Sequence, residues 1–236
     1  MRNTITCLLA AATLLTTGCA GSYTPIRANR INTFSSVSAP NSPVEFSYQY
    51  SALMINGRNK KYNKKERKRG YQTVAVRIKN NTANDLNFSR DLELYFGDRP
   101  VMPVPAIQAA NDLKQGVWIY LLYTPLAGTL GGSTDPRTGI VTGGTIFPWG
   151  LGVAAGNILG ASQANKNLRM EFVTSEMVNK TIRPGETLSG IISLREMNVA
   201  PLHLVLRNST ALQAAPTPAT PPASAPAQAL PAGGQR

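Results

Sequence analysis

The sequence predicts a mainly β fold: an antiparallel β-sandwich over residues 44–207, interrupted at about 105–171 by an apolar, glycine-rich helical hairpin, so α+β overall. Three observations carry this. Apolar and polar residues alternate with period two near 44–50, 74–79 and 86–96, and again near 187–206. Clusters of Asn, Gly and Pro punctuate those runs. Between them lies a long stretch almost without charge. Of 236 residues, 42% are apolar and 15% charged, a composition that excludes wholesale disorder of the central region.

The elements follow in order. Val44, Phe46, Tyr48 and Tyr50 alternate with Glu45, Ser47 and Gln49, and Val74, Val76 and Ile78 alternate with Ala75, Arg77 and Lys79. Side chains on a strand point to opposite faces in turn, so both runs read as half-buried strands. Asn80 to Asp85 is a turn cluster. Leu86, Phe88, Leu92, Leu94 and Phe96 then continue the alternation, with Arg90 as its polar exception, as a third strand. Gly97-Asp98-Arg99-Pro100 closes it, and Val101 to Val104, flanked by prolines, reads as a short edge. Later, Lys180 to Arg183, Thr187 to Leu194 and Leu202 to Leu206 read as strands, the first two joined by a Pro184-Gly185-Glu186 turn.

Charge is concentrated in the connection between the first two strands. Arg58, Lys60, Lys61, Lys64, Lys65, Arg67, Lys68 and Arg69 face only one acid, Glu66, giving +7 of the chain's net +12. Mutual repulsion, with Tyr62 as the one apolar residue, predicts an extended solvated loop. Such a loop attracts anions: phospholipid headgroups, lipopolysaccharide phosphates or an acidic protein face.

The interior stretch is the reverse. Gln115 to Thr134 holds 20 uncharged residues and Thr138 to Asn165 another 28, separated only by Asp135-Pro136-Arg137. Gly152, Gly156, Gly160 and Ala164 recur every fourth residue, which places four small side chains on one helical face and predicts a helix-packing stripe. The dense apolar run Trp118 to Tyr123 is far short of the roughly twenty residues a spanning helix needs. The expectation is an insert packed on the sandwich, with bilayer insertion or oligomer formation through the stripe as the alternative. Trp118, Tyr120, Tyr123 and Trp149 suit a membrane interface.

The N-terminus reads as a secretory signal over residues 1–18: a basic start, an apolar run from Ile5 to Leu15, and a small-residue exit. Leu15-Thr16-Thr17-Gly18-Cys19 resembles the lipobox of bacterial lipoproteins, with Thr16 where that family usually has an aliphatic residue. The resemblance implies cleavage before Cys19, a diacylglyceryl group on its sulfur, and residence in the cell envelope. Ala20-Gly21, with no aspartate beside the cysteine, resembles cargo sorted to the outer membrane and left facing the periplasm. Residues 19–43 are then expected to be anchor and tether. Ile182 to Gly190 is similar to the proline-glycine turn and returning strand of immunoglobulin-like modules in envelope lipoproteins, which implies that type of sandwich and no function.

Little in the sequence suits catalysis. His203 is the single histidine and sits among strand residues; both cysteines, Cys7 and Cys19, precede the body. No disulfide framework, thiol–histidine pair, phosphate loop or nucleophile elbow is written here. Asp85, Asp91, Glu93 and Asp98 lie in or beside strands, where outward charges are routine. The expectation is therefore no catalytic residue, no metal and no cofactor. Partners are the membrane through the lipid on Cys19, anionic lipid or lipopolysaccharide, and another envelope protein; an exported protein leaves nucleic acid out. Residues 208–236, rich in Ala and Pro, read as a disordered tail. Together these describe a lipid-anchored envelope protein that binds or scaffolds.

Overall fold

A computed structural model of the chain describes residues 20–36, 38, 42–55 and 58–207. Cys19, the signal segment and the Ala/Pro-rich tail lie outside the described residues. Two antiparallel sheets and a helical layer organise the body. The first sheet runs β1 (Ser35–Ser36), β2 (Val44–Gln49), β3 (Gln72–Asn80) and β12 (Thr187–Leu194) in spatial order 1-2-3-12. The second places β5 (Leu92–Phe96) between β13 (Leu202–Leu206) and β6 (Arg99–Val101). A two-stranded pair joins β4 (Leu86–Asn87) to β11 (Thr181–Ile182).

The central strands serve two cores because their side chains alternate. Val74, Val76 and Ile78 of β3, with Ile192 and Leu194 of β12, join a core that also holds Leu92, Leu94 and Leu202 of the second sheet. Ala75 and Ile191, on the opposite face, belong to a second core under the helices. The register that achieves this pairs Val76 with Gly190 and Val74 with Ile192. Gly190 is glycine for lack of room: a Cβ there would lie 2.6 Å from the Ser175 carbonyl oxygen and 2.3 Å from Met177 Sδ. The chain leaving the long helix crosses the strand at that point, with Ile191 N–H donating to Ser175 O at 2.7 Å.

Among the described residues four α-helices accompany the sheets: α1 (Lys60–Arg69), the single turn α2 (Phe88–Asp91), α3 (Ala106–Leu113) and α4 (Trp149–Thr174). The basic connection is therefore the helix α1, not the extended loop its charge predicts. Tyr62 and Glu66, four apart, are both buried and turn one face of α1 inward. The expected strand over 86–96 is broken at α2. Asn87 Oδ1 accepts N–H bonds from Ser89 and Arg90, each at 3.1 Å, and Asp91 Oδ2 accepts the Asn87 N–H at 2.7 Å. This is local capping winning over the alternating pattern.

The insert departs from a helical hairpin. Its C-terminal arm is helical, as α4, but its first arm is α3, a 3-10 helix over Trp118–Tyr123 and a β-ribbon. In the ribbon β7 (Gly128–Leu130) pairs with β10 (Thr145–Phe147), and β8 (Ser133–Thr134) with β9 (Val141–Thr142). Asp135 accepts the Arg137 N–H at 2.8 Å and shapes the tip. Nor do residues 21–42 begin as a tether. Tyr23, Ile26, Ala28 and Ile31 are buried in the helical core beside Leu168 and Phe172.

Candidate functional site

The long helix has two unlike faces. Its buried residues are Gly150, Ala154, Asn157, Ala161, Ala164, Leu168 and Phe172, spaced alternately four and three apart over most of their length. That spacing makes one continuous seam, which packs on α3 and on the 3-10 helix. Its side chains are small near Trp149 and large near Phe172, so neighbouring backbone comes closest at the insert end. Gly150 shows the limit: an added Cβ would lie 2.0 Å from the Tyr123 carbonyl oxygen and 2.7 Å from that of Leu126.

Within the described residues, the helix-packing stripe expected at Gly152, Gly156, Gly160 and Ala164 enters this seam at Ala164 and not at its three glycines. Ala164 is in the seam, but Gly152 and Gly156 meet nothing within 4 Å. Gly160 meets only Ala20, 3.4 Å from an added Cβ. An i, i+4 row drifts by about 40° at each step around a straight 3.6-residue helix, whereas the alternating seam drifts by only about 20° in seven residues. Sequence periodicity could have found the seam in Ala154, Asn157, Ala161, Ala164 and Leu168, but the polar Asn157 and the small alanines hide it.

Asn157 is part of a set of amides that hold the strap formed by residues 20–31. Ala20 N–H donates to Asn157 Oδ1 at 2.7 Å. Gln115 accepts from Gly21 N–H at 3.0 Å and donates to Gly21 O at 2.7 Å. Asn59 does the same for Thr24, accepting its N–H and donating to its carbonyl at 2.8 Å each. Buried Asn59 and Gln115 thereby give the strap the bonds that a neighbouring strand would give. Farther along, Glu171 accepts consecutive N–H groups from Ile26 at 2.9 Å and Arg27 at 2.8 Å, and the Tyr23 hydroxyl. Arg27 has a left-handed φ of 53°, and converging N–H groups of this kind bind an anion, here the protein's own carboxylate. Burial and that carboxylate raise the Tyr23 phenol well above its ordinary pKa.

The eight basic residues of the expected anion site stay together, on and just before α1. Lys60, Lys64, Arg67, Lys68, Arg69 and Arg58 are exposed, and none is in an ion pair among the described residues. Two are committed inward. Lys61 Nζ donates to Tyr120 OH at 3.2 Å, and Lys65 Nζ donates to the Lys114 carbonyl. Burial, then the neighbouring cations Arg69, Lys114 and Lys68, lower the Lys65 pKa. Four like-charge pairs at i, i+4 (60–64, 61–65, 64–68 and 65–69) oppose this helix, each by a few tenths of a kcal/mol. Packing of Tyr62, whose hydroxyl donates to Asn165 Oδ1 at 3.1 Å, holds it nonetheless. Glu66 is buried beneath the cations. It accepts the Thr73 N–H, and burial pushes its carboxyl up to about 7.

The other candidates stay apart. Asp91 pairs with Arg90 at 2.7 Å and Glu93 accepts from Tyr95 OH at 3.2 Å. His203 stacks on Tyr95 across the β5–β13 ladder, ring centres 5.0 Å apart. Among the described residues no three His, Cys, Asp or Glu side chains gather where a metal ion would sit. A groove of about 530 Å³ lies where the strap turns, lined in part by Arg27, Arg30 and Arg58.

What remains is an apolar surface. Trp118 (79% exposed), Leu122 (70%), Ile146 (73%) and Leu159 (71%) all lie on the insert or the outer side of α4. No helix among the described residues is long and apolar enough to cross a membrane. Compared with protein-family models, with curated proteins and with solved structures, this chain matches none.

Proposed function

We propose that the protein is a non-catalytic binding or scaffolding component of the bacterial cell envelope. A lipid on Cys19 holds it at the outer membrane, facing the periplasm. The observation that carries this reading is the strap. If Cys19 bears the anchor, the next residue is already hydrogen-bonded to Asn157, so no slack separates lipid from body. A protein fixed in this way presents one defined side to the bilayer and holds the rest at a set height, which suits a scaffold. The exposed cations of α1 supply an anion-binding face for headgroup phosphates, lipopolysaccharide or an acidic partner. The body is read as an immunoglobulin-like sandwich interrupted by the insert. The core shared by β3, β12, β5 and β13 supports that.

Several acyl chains, at about 0.8 kcal/mol per buried methylene, hold a protein at a membrane almost irreversibly. Cys19→Ser should therefore release the body from the membrane fraction, or leave the signal uncut. Unchanged fractionation, together with an unmodified Cys19 by intact mass in the parent protein, would refute the reading.

A further inference from the structure

We propose that the insert, residues 117–151 together with the outer side of the first half of α4 as far as Leu159, lies flat in the headgroup region of the same bilayer that holds the Cys19 lipid. The inference rests on the anchoring just proposed and names the second contact of that membrane face. The anchor and the apolar surface meet at one place. Ala20, bonded to Asn157, lies against Gly160, at the edge of the exposed side of α4. Trp149 is eight residues back along the helix, about 12 Å at 1.5 Å per residue. Acyl chains leaving residue 19 would thus start next to Leu159 and on the same edge of α4 as Trp149, both exposed.

Composition favours lipid as the occupant. Between Gln115 and Asn165 the only charges are Asp135 and Arg137, so placing this surface at a membrane desolvates almost none. Both tryptophans of the chain, Trp118 and Trp149, are here and exposed, and indole is at home where headgroups meet acyl chains. Depth follows from the tip. Asp135 and Arg137 sit at the far end of the ribbon, and burying them in hydrocarbon would cost several kcal/mol, so the ribbon lies along the interface. That is the geometry of a monotopic contact.

The test uses residues 19–236 with Cys19→Ser, so that no acyl chain contributes, and uncharged phosphatidylcholine vesicles, so that α1 contributes nothing electrostatic. The expected result is a blue shift of tryptophan emission on vesicle addition, quenching by bromine-labelled acyl chains, and little change with salt. Leu122→Ser with Ile146→Ser should weaken partitioning by at least about tenfold, since each removes a side chain worth more than 1 kcal/mol on burial. Both positions are exposed, and an unchanged melting curve would verify the fold. The quenching itself needs no variant. Tryptophans that stay open to aqueous quencher at saturating vesicle overturn the proposal. So does concentration-dependent self-association, lost in the same double variant without vesicle binding, since a second copy would then cover the face. Intact mass of the native protein separates the two readings. Insertion with an unmodified Cys19 overturns the anchor alone, and a lipid-bearing Cys19 without insertion overturns the insert alone.

Discussion

The same one-carbon change at two glycines of α4 should have opposite signs. In Gly156→Ala the new methyl meets nothing within 4 Å, and the residue is in the helix interior on its exposed side. Alanine then gains helix propensity of about 1 kcal/mol with no steric cost. For a chain of this size that raises the thermal midpoint by roughly 2–4 °C. In Gly150→Ala the methyl would lie 2.0 Å and 2.7 Å from two backbone carbonyl oxygens and 2.9 Å from Leu126 Cβ. Gly150 N–H also donates to Leu126 O at 2.9 Å, so the turn after the 3-10 helix cannot move away without losing that bond. Overpacking of this kind costs about 1–3 kcal/mol. Much of it should appear as local opening, because this end of α4 packs on the insert. The assay is thermal unfolding of the lipid-free chain for the first variant, and hydrogen-exchange protection over residues 118–126 and 149–154 for the second. A lower midpoint for Gly156→Ala would mean that another element sits on the outer face. Unchanged protection in Gly150→Ala would mean that the helix does not dock on the insert as described.

Glu66 should give the stability curve a slope of unusual sign. Its carboxyl is raised from 4.5 to about 7, so the folded state holds a proton that the unfolded state has released. Stability is then greatest below pH 4.5, falls as pH rises toward 7, and levels off beyond, by on the order of 3 kcal/mol. Glu66→Gln should flatten that fall in urea titrations between pH 5 and 8; an unchanged slope assigns it to another group. Glu45 and Asp91, whose carboxyls are lowered chiefly by bonds from Asn81 and Arg90 respectively, act in the opposite sense and at lower pH. Asn80→Ala should cost roughly 2–4 kcal/mol. Its buried amide donates to the Asn84 and Ile182 carbonyls and accepts from the Thr82 N–H and hydroxyl, all within 2.9 Å. A loss under 1 kcal/mol would show that water replaces those bonds. Lys64→Glu turns two like-charge pairs, with Lys60 and Lys68, into opposite ones. It should stabilise α1 by about 0.5–1 kcal/mol at low salt while weakening salt-dependent binding to anionic vesicles. Equal binding by both forms would make α1 a structural element only.

How far the sequence reaches depends on whether a signal is local. The strands at 44–49, 72–80, 187–194 and 202–206 are legible because large apolar side chains facing the inter-sheet core alternate with mostly smaller or polar ones on the other face. The turn at Asn80 is legible for the same reason, since asparagine bonds to its own neighbouring backbone. The uncharged insert and the lipobox resemblance at Cys19 are properties of the string itself. Charge repulsion in 58–69 is equally plain but misleads. What decides for a helix there is the fit of Tyr62 and Glu66 against residues far along the chain, such as Asn165 and Thr73.

Only the tertiary structure settles which side of α4 is inside. Glycines in a row and alanines in a seam both satisfy a small-residue pattern, and the choice is made by α3, the 3-10 helix and the strap. The strap is the clearest case. From Gly21 to Ser42 the composition is that of a linker, yet Tyr23, Ile26 and Ile31 are core residues. Its backbone bonds are supplied by Asn157, Gln115, Asn59 and Glu171, side chains 35 to 145 positions away from the strap residues they bond. A segment ordered by distant side chains leaves no periodicity of its own, so its place, and with it the side of the body nearest Cys19, exists only in the folded chain.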